Sequence, residues 1–240
     1  MDERIKKMAS QLVEYSIHLQ PKEKVLIDYE GEASKALVKA IIKKVYEVGG
    51  YPYVISRDSS INRELIMGCS EEMLKVQNQY LLDQMKNMDA YMAIRGSENT
   101  SELSDVPDDK LALWNKELDP VLRQRVDHTK WVVMRYPNNA MAQLAGTSLE
   151  QFEDFYFNVC TLDYSKMDKA MDPLVELMNK TDKVRLVGPG TDLSFSIKGL
   201  PAIKCSGNMN IPDGEVYTAP VKDSMNGHIS YNTISSALFL

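Results

Sequence analysis

The sequence predicts an α/β fold in which a parallel-sheet domain precedes a smaller, mainly β segment. Up to about residue 180, short apolar runs typical of strands alternate with amphipathic helical patterns. After Thr181, short strand-like runs are separated by clusters of Gly, Pro, Asn and Asp. We therefore expect an N-terminal α/β domain over residues 1–180 and an incomplete, mainly β domain over residues 181–240.

The first hundred residues begin with a βαβ pattern. An amphipathic helix is predicted over residues 2–19, and an apolar strand follows at residues 24–28. Residues 32–48 form a second amphipathic helix, which Gly49-Gly50 ends, and residues 51–56 form the next strand. A strand–helix–strand unit of this length implies parallel pairing.

The same alternation continues towards residue 180. Further helices are expected at 60–86 (with a break near 68–70), 107–127, 138–145, 148–160 and 163–180, and further strands at 88–94 and 130–135. Three polar loops follow strands in this pattern: Asp28–Gly31, Arg95–Asn99 and Tyr136–Asn139. Because ligand sites in open parallel sheets lie at the carboxyl ends of strands, we expect these loops to line a cleft.

Strands in the second segment are expected at residues 184–187, 193–197 and 215–218. Gly188-Pro-Gly190 lies between the first two of them. A dinucleotide-binding glycine motif would open a helix, so these glycines indicate a hairpin turn. The segment is short for an independent core and its last residues, 234–240, are apolar, which predicts an incomplete domain.

Composition narrows the class of protein. The 240 residues carry a net charge of −6 with acidic and basic residues interleaved, which argues against nucleic acid or an anionic membrane as the main partner. No apolar run reaches the length of a membrane span, and the N-terminus has no apolar region typical of a secretory signal. The cysteines, Cys69, Cys160 and Cys205, are far apart and are expected to be buried free thiols, which fit a reducing cytoplasm.

Glu215 is the residue with the clearest candidate chemistry. It follows the turn signal Pro212-Asp213-Gly214, in which Asp213 is expected to bond its own backbone, and it opens a predicted strand. Glu215 either ligates a hard cation or accepts a proton, or it begins an exposed strand. A single carboxylate is unspecific, so the residues alone favour the exposed strand.

The three histidines form no recognisable catalytic motif. His18, near a helix end, and His128, in a turn before a strand, are interpreted as structural or exposed. His228 would approach Glu215 if their two strands paired, although a structural role is favoured for it as well.

Four stretches resemble the M29 family of metallo-aminopeptidases, the thermophilic aminopeptidase type. They are Arg135–Gly146, Phe152–Phe157, Gly190–Ser196 and, most specifically, Asn210–Pro220. The resemblance extends over residues 1 to about 233. It implies a cytoplasmic, usually dimeric exopeptidase with an N-terminal α/β domain and a C-terminal catalytic domain, whose beginning residues 181–240 would form.

The resemblance also implies that Glu215 is the first metal-ligating glutamate of a site for two divalent ions, variously zinc, cobalt or magnesium. Peptides would be the substrates. The other ligands of the family, a Glu, two His, a Tyr and an Asp, lie further along the chain than this sequence reaches. We therefore expect a member truncated before most of the metal site and inactive alone. The alternative is a non-catalytic α/β module that binds a ligand or assembles with itself.

Overall fold

The computed structural model describes residues 2–232, and the apolar end at 234–240 lies outside them. The chain divides into two units. The first runs to Tyr164 and includes Gly207–Asp213; the second comprises Ser165–Ser206 and the described residues from Gly214 onward. This division falls one helix before the domain boundary expected near residue 181, which stays a prediction.

The elements alternate through the first two thirds of the chain. The helices are α1 (Glu3–Ser10), α2 (Lys35–Glu47), α3 (Ser59–Gly68), α4 (Glu71–Lys86), α5 (Asp108–His128), α6 (Asn139–Leu144), α7 (Leu149–Cys160) and α8 (Tyr164–Lys180), and a π-helix, Gln11–Ser16, follows α1 directly. The strands are β1 (Lys24–Glu30), β2 (Tyr51–Arg57), β3 (Ala90–Arg95), β4 (Lys130–Arg135), β5 (Lys183–Gly188), β6 (Thr191–Ser196), β7 (Ile203–Cys205), β8 (Asn210–Ile211), β9 (Glu215–Tyr217) and β10 (Asn226–His228).

A five-stranded parallel sheet in the order β2-β1-β3-β4-β8 forms the centre of the first unit. The predicted α/β class and the parallel pairing of the βαβ unit are therefore confirmed. The fifth strand was not predicted. Asn210-Ile211 lies beside Val133-Met134 of β4, so a short piece from beyond residue 181 belongs to the first sheet. Two residues are too few to show a strand periodicity.

Local sequence explains where several helices of the first unit begin. The side-chain oxygens of Asp58, Ser70, Asn138 and Ser148 accept backbone N–H bonds in the first turns of α3, α4, α6 and α7. Such caps satisfy N–H groups that have no partner within the helix. The predicted cap at Ser148 and the predicted break near residues 68–70 are both confirmed.

The first helical segment is not a single α-helix over residues 2–19 as predicted. After α1 the chain widens into the π-helix, and the Ile17 N–H bonds to the Leu12 carbonyl at 3.1 Å, five residues back. Met8, Leu12 and Val13 are nevertheless fully buried. The apolar pattern therefore predicted a buried helical face correctly, but it does not distinguish an α-helix from a π-helix.

Both faces of the sheet are covered at its central strands β1 and β3. Alternate side chains of a strand lie on the same face of the sheet. Val25 and Ile27 of β1 therefore share one face, and both are completely buried. Leu26 lies on the other face in a core cluster with Met85 of α4 and Tyr91 of β3. The sheet therefore has the buried, two-sided environment that parallel sheets need.

The second unit combines the remainder of α8 with short antiparallel strands. β5 and β6 form a hairpin with Gly188 opposite Thr191, which confirms the predicted turn, and β10 extends that sheet on the β6 side. A separate two-stranded sheet contains β7 and β9. Lys204 of β7 bonds to Asp172 at 2.7 Å and to Asp168 at 3.0 Å, which fixes this strand against α8.

Close backbone contact holds two loops together at the carboxyl edge of the parallel sheet. Gly31 has φ +88°, and a Cβ added to it would lie 1.9 Å from the Gly96 carbonyl oxygen. We expect Gly31→Ala to lower the free energy of unfolding by about 2 kcal/mol, because both the backbone conformation and the contact disfavour a side chain. Chemical denaturation measures this change. Gly68→Ala is the control, since nothing lies within 4 Å of its added Cβ; equal effects of the two changes would contradict the explanation.

Candidate functional site

Glu215 begins strand β9, within one residue of the span predicted for that strand. Its strand pairs antiparallel with β7, and Glu215 lies opposite Cys205. The residue is exposed. A carboxylate at this position is accessible to a cation, and the same geometry also describes an ordinary exposed strand end.

The turn signal before Glu215 is fixed by contacts within the first unit. The Asp213 carboxylate accepts the Gly207 N–H at 2.7 Å, and the Asp213 N–H donates to the Tyr164 hydroxyl at 3.1 Å. The Ser16 hydroxyl donates to the Gly207 carbonyl at 2.6 Å. The expectation that Asp213 bonds its own backbone is therefore wrong, because its carboxylate accepts the N–H of Gly207, six residues earlier. The Ile211–Pro212 peptide bond is cis.

His228 does not share a sheet with Glu215. Its strand, β10, pairs with β6, and His228 lies opposite Asp192. The condition under which His228 would approach Glu215, pairing of their strands, is not met. His128, expected in a turn, is the last residue of α5.

The donors needed for a complete metal site do not come together in residues 2–232. Within that range no group of three or more His, Cys, Asp or Glu side chains is placed to hold a metal ion. At least three protein ligands are typical of a catalytic metal. The described residues therefore do not fit a two-metal centre by themselves, and no catalytic step follows from Glu215 alone.

The three loops expected to line a cleft do meet at the carboxyl edge of the parallel sheet. They surround a cleft of about 320 Å³ whose polar lining includes Glu30, Arg95, Ser97, Arg135 and Asn138. These residues follow or end β1, β3 and β4, whose carboxyl ends are adjacent because the strands are parallel. The cleft has the charged and amide groups suited to a polar ligand.

Hydrogen bonds hold the walls of this cleft. The Asn138 side-chain amide donates to the Ser97 carbonyl at 2.8 Å, and its oxygen accepts the Met141 N–H at 3.0 Å. The hydroxyls of Ser59 and Ser97 lie 3.1 Å apart. Asn138 is buried, so the loop after β4 is fixed to the loop after β3.

A buried ionic cluster around Asp28 was missed by sequence reasoning. Asp28 is only 2 % exposed. It accepts bonds from Arg57 Nε at 2.7 and 2.9 Å, from Arg95 Nη1 at 3.0 Å and from the Tyr91 hydroxyl at 2.9 Å. The sequence placed Asp28 at the end of a strand, whereas β1 continues to Glu30. An aspartate directly after the apolar run Val25–Ile27 was the available signal, because buried carboxylates are nearly always paired.

The opposing influences on Asp28 leave its carboxyl ionised. Burial by itself raises the pKa of Asp28, but the hydrogen bond from Arg57 and the charges of Arg95 and Arg57 outweigh it, and the net pKa shift is downward. Burial, followed by the Asp28 charge, raises the pKa of Tyr91, which therefore remains a donor to the carboxylate.

The thiols are placed as expected in two of three cases. Cys69 and Cys160 are buried, whereas Cys205 is only partly buried, and none forms a disulfide. Burial raises the pKa of Cys160 to about 12. Cys160 therefore has the character of a small hydrophobic residue rather than a nucleophile.

Comparison with solved structures identifies a similar fold. AmpT from Thermus thermophilus superposes with a TM-score of 0.74 at 20% identity, and the match covers 94% of this chain and 63% of AmpT. The chain thus spans less than two thirds of that protein's length. Two weaker matches are a fatty acid ABC transporter substrate-binding protein from Thermomonospora curvata and an alcohol dehydrogenase superfamily protein from Novosphingobium aromaticivorans. Their TM-scores are 0.33 and 0.29, and their sequence identities are 12% and 13%. The matches cover 62% and 71% of this chain, and 31% and 49% of the two matched proteins.

Sequence comparison is decisive for the family. The comparison with curated proteins found no significant match. No helix within residues 2–232 is long and apolar enough to cross a membrane. A family model described as thermophilic metalloprotease (M29) matches residues 1–237, nearly the whole sequence. The chain therefore belongs to the M29 family of thermophilic metalloproteases.

Proposed function

We propose that the function of this protein is metal-dependent aminopeptidase activity, the release of N-terminal residues from peptides. The observation that carries the proposal is the family match over residues 1–237. The AmpT-like fold is consistent with it. The proposal concerns a protein in which the described residues act together with further metal ligands, because those residues supply no complete site.

Glu215 is the residue we assign to the metal. Its support is the resemblance of Asn210–Pro220 to the family's first ligand segment, together with its exposed position at the start of β9. Carboxylate oxygens are suitable ligands for zinc and magnesium. We extend the proposal to two divalent ions, zinc, cobalt or magnesium, as the resemblance implies.

The assembly and compartment belong to the same proposal. The family resemblance implies a homodimer in the cytoplasm. Peptides are the substrates that membership of a peptidase family implies, and the net charge of −6 favours no nucleic-acid partner. Sedimentation analysis of the purified chain measures its oligomeric state directly.

The proposed activity is tested with two proteins. One is the 240-residue chain, for which we expect no metal-dependent release of leucine from a tripeptide with leucine at its N-terminus. A lone carboxylate does not hold a catalytic metal. The other is a chimera that joins residues 1–232 to the part of AmpT beyond the region matched here, which should release leucine only when metal is present.

Chelation followed by return of zinc, cobalt or magnesium separates metal-dependent hydrolysis from contamination. A cooperative thermal transition establishes that the chimera is folded. A folded chimera that is inactive with every metal would argue against the proposed activity, whereas activity of the 240-residue chain would contradict its expected inactivity.

A further inference from the structure

A second cavity lies on the face of the parallel sheet that α4 and α5 cover. It has a volume of about 300 Å³ and is distinct from the cleft at the carboxyl edge. Apolar side chains from two strands and both helices form much of its wall: Leu26, Ile55, Met85, Leu118 and Leu122. A volume of this size is at the small end of the range for ligand pockets.

One guanidinium in this cavity has an unused hydrogen-bond donor. Arg125 of α5 lines the cavity, and its guanidinium carbon lies 4.5 Å from the centre of the Tyr91 ring. Its Nε is buried and has no hydrogen-bond partner among residues 2–232. Buried donors are nearly always paired, because an unpaired one loses its hydration without compensation. This atom therefore has no acceptor among the described residues, and the guanidinium charge of Arg125 is not neutralised there by a carboxylate.

A second guanidinium lies on the strand side of the same cavity. The Nε of Arg57 is bonded to Asp28, and the Arg57 side chain remains 36% exposed. Asp28 is shared by Arg57 and Arg95, so this cluster carries more positive than negative charge. The other carboxylate in the lining, Asp119, belongs to α5.

Asp119 is directed partly towards solvent and partly towards a cation on its own helix. Its side chain is 51% exposed and lies 3.5 Å from Arg123 Nε. It therefore offsets the guanidinium charge of the cavity only in part. The cavity combines a positive end with an apolar wall.

We propose that this cavity binds a small organic carboxylate with an apolar body. The carboxylate would bond to the guanidinium of Arg125 with Arg57 beside it, and the apolar body would contact Leu118, Leu122 and Ile55. A guanidinium presents planar donors that match a carboxylate, and the apolar wall disfavours a bare, fully hydrated anion. This site goes beyond the proposed peptidase function and does not depend on it.

Isothermal titration calorimetry of the 240-residue chain tests the proposal with three probes. Isocaproate carries both a carboxylate and a branched apolar body, acetate lacks the apolar body, and isohexyl alcohol lacks the charge. We expect saturable one-to-one binding of isocaproate and at least about tenfold weaker binding of the other two probes, because each lacks one of the two contacts. Absence of saturable isocaproate binding, or equal binding of acetate, would overturn the proposal.

Matched variants assign the binding to this cavity. Arg125→Gln should weaken isocaproate binding at least about tenfold, because a charge-assisted hydrogen bond is lost. Lys116→Gln removes one cation from the same helix at a side chain that is 70% exposed and lies outside the cavity lining, and it should leave binding unchanged. Equal affinities of these two variants would overturn the assignment.

Leu118→Phe adds volume to the cavity wall while leaving both guanidiniums in place. It should also weaken isocaproate binding at least about tenfold, since the apolar body and the new ring compete for the same space. Circular dichroism establishes whether each variant is folded. If Arg125→Gln does not fold, the Leu118→Phe result decides, and unchanged binding by that variant contradicts the proposal.

Discussion

Replacing Asp28 with asparagine is expected to lower the free energy of unfolding by about 3 kcal/mol. The carboxylate is the shared acceptor of Arg57, Arg95 and the Tyr91 hydroxyl. Its removal leaves two guanidiniums without the negative charge with which both are paired. We expect the lower part of the range for broken buried ion pairs because both arginine side chains are about one third exposed. Denaturant titration at neutral pH measures the change.

Asp105→Asn is the matched control for Asp28→Asn. Asp105 also pairs with an arginine, Arg63, but its side chain is 60% exposed. Exposed ion pairs contribute little to stability, so this change should have a small effect. Equal losses of stability in the two variants would show that burial of the Asp28 cluster is not the source of its contribution.

The Asp28 contribution has a defined pH dependence. The carboxyl pKa is lower in the folded chain than the ordinary value of 3.8, so the folded state favours the ionised form. The contribution is therefore fully present above the unfolded pKa and is lost as the pH falls through the lower, folded value. The difference in unfolding free energy between the parent chain and Asp28→Asn should be constant near neutrality and should shrink below about pH 4. A difference that grows on acidification would contradict this sign.

The second large effect concerns activity rather than stability. The folded chimera contains residues 1–232 and the part of AmpT outside the matched region. In it, Glu215→Gln is expected to lower kcat/KM for a tripeptide with N-terminal leucine by more than about a hundredfold. Loss of a side chain that only supports a metal ligand already costs up to about that much. Glutamine retains the size of glutamate but removes the negative charge. Steady-state kinetics at saturating zinc, cobalt or magnesium measure the loss.

Glu176→Gln is the control for that measurement. Glu176 is an exposed glutamate of α8 whose side chain is 71% exposed and lies 3.5 Å from Lys180. Its replacement makes the same chemical change in the same unit, and kcat/KM should remain at the parent level. A parallel fall in both variants would indicate a general effect of lost negative charge.

Local patterns predicted most of the elements in the first unit because each has a strong periodicity or a clear stop signal. Strand β4 has the predicted bounds, 130–135, since an apolar run lies between polar residues. Gly49-Gly50 ends α2 and Ser148 caps α7 as predicted. These features depend on residues close together in the sequence, so a single sequence is enough to predict them.

Long-range pairings were the part that the sequence did not reveal. The association of Asn210-Ile211 with β4 joins residues more than seventy positions apart. The Asp213 carboxylate accepts the Gly207 N–H rather than bonding to its own backbone. This contact depends on the path of the chain between the two residues, which no local pattern reveals. Asp28 meets Arg57 and Arg95 only after three strands align in register. None of these contacts leaves a periodic signal.

The candidate sites also differ in whether the sequence alone could predict them. Parallel topology predicted that the loops after β1, β3 and β4 meet, and they line one cleft. The Arg125 cavity needs a helix placed over a sheet face, which no motif indicated. The assignment of Glu215 to a metal rests on the family resemblance, because its local geometry is that of an exposed strand end.

Metal content tests the assignment of Glu215 most directly. The purified chimera, its Glu215→Gln variant and its Glu176→Gln variant are dialysed against the same zinc buffer, and bound metal is measured by mass spectrometry. We expect metal to be retained by the chimera and by Glu176→Gln, and both bound metal and leucine release to be reduced in Glu215→Gln. Full metal content and full activity in a folded Glu215→Gln chimera would contradict the assignment.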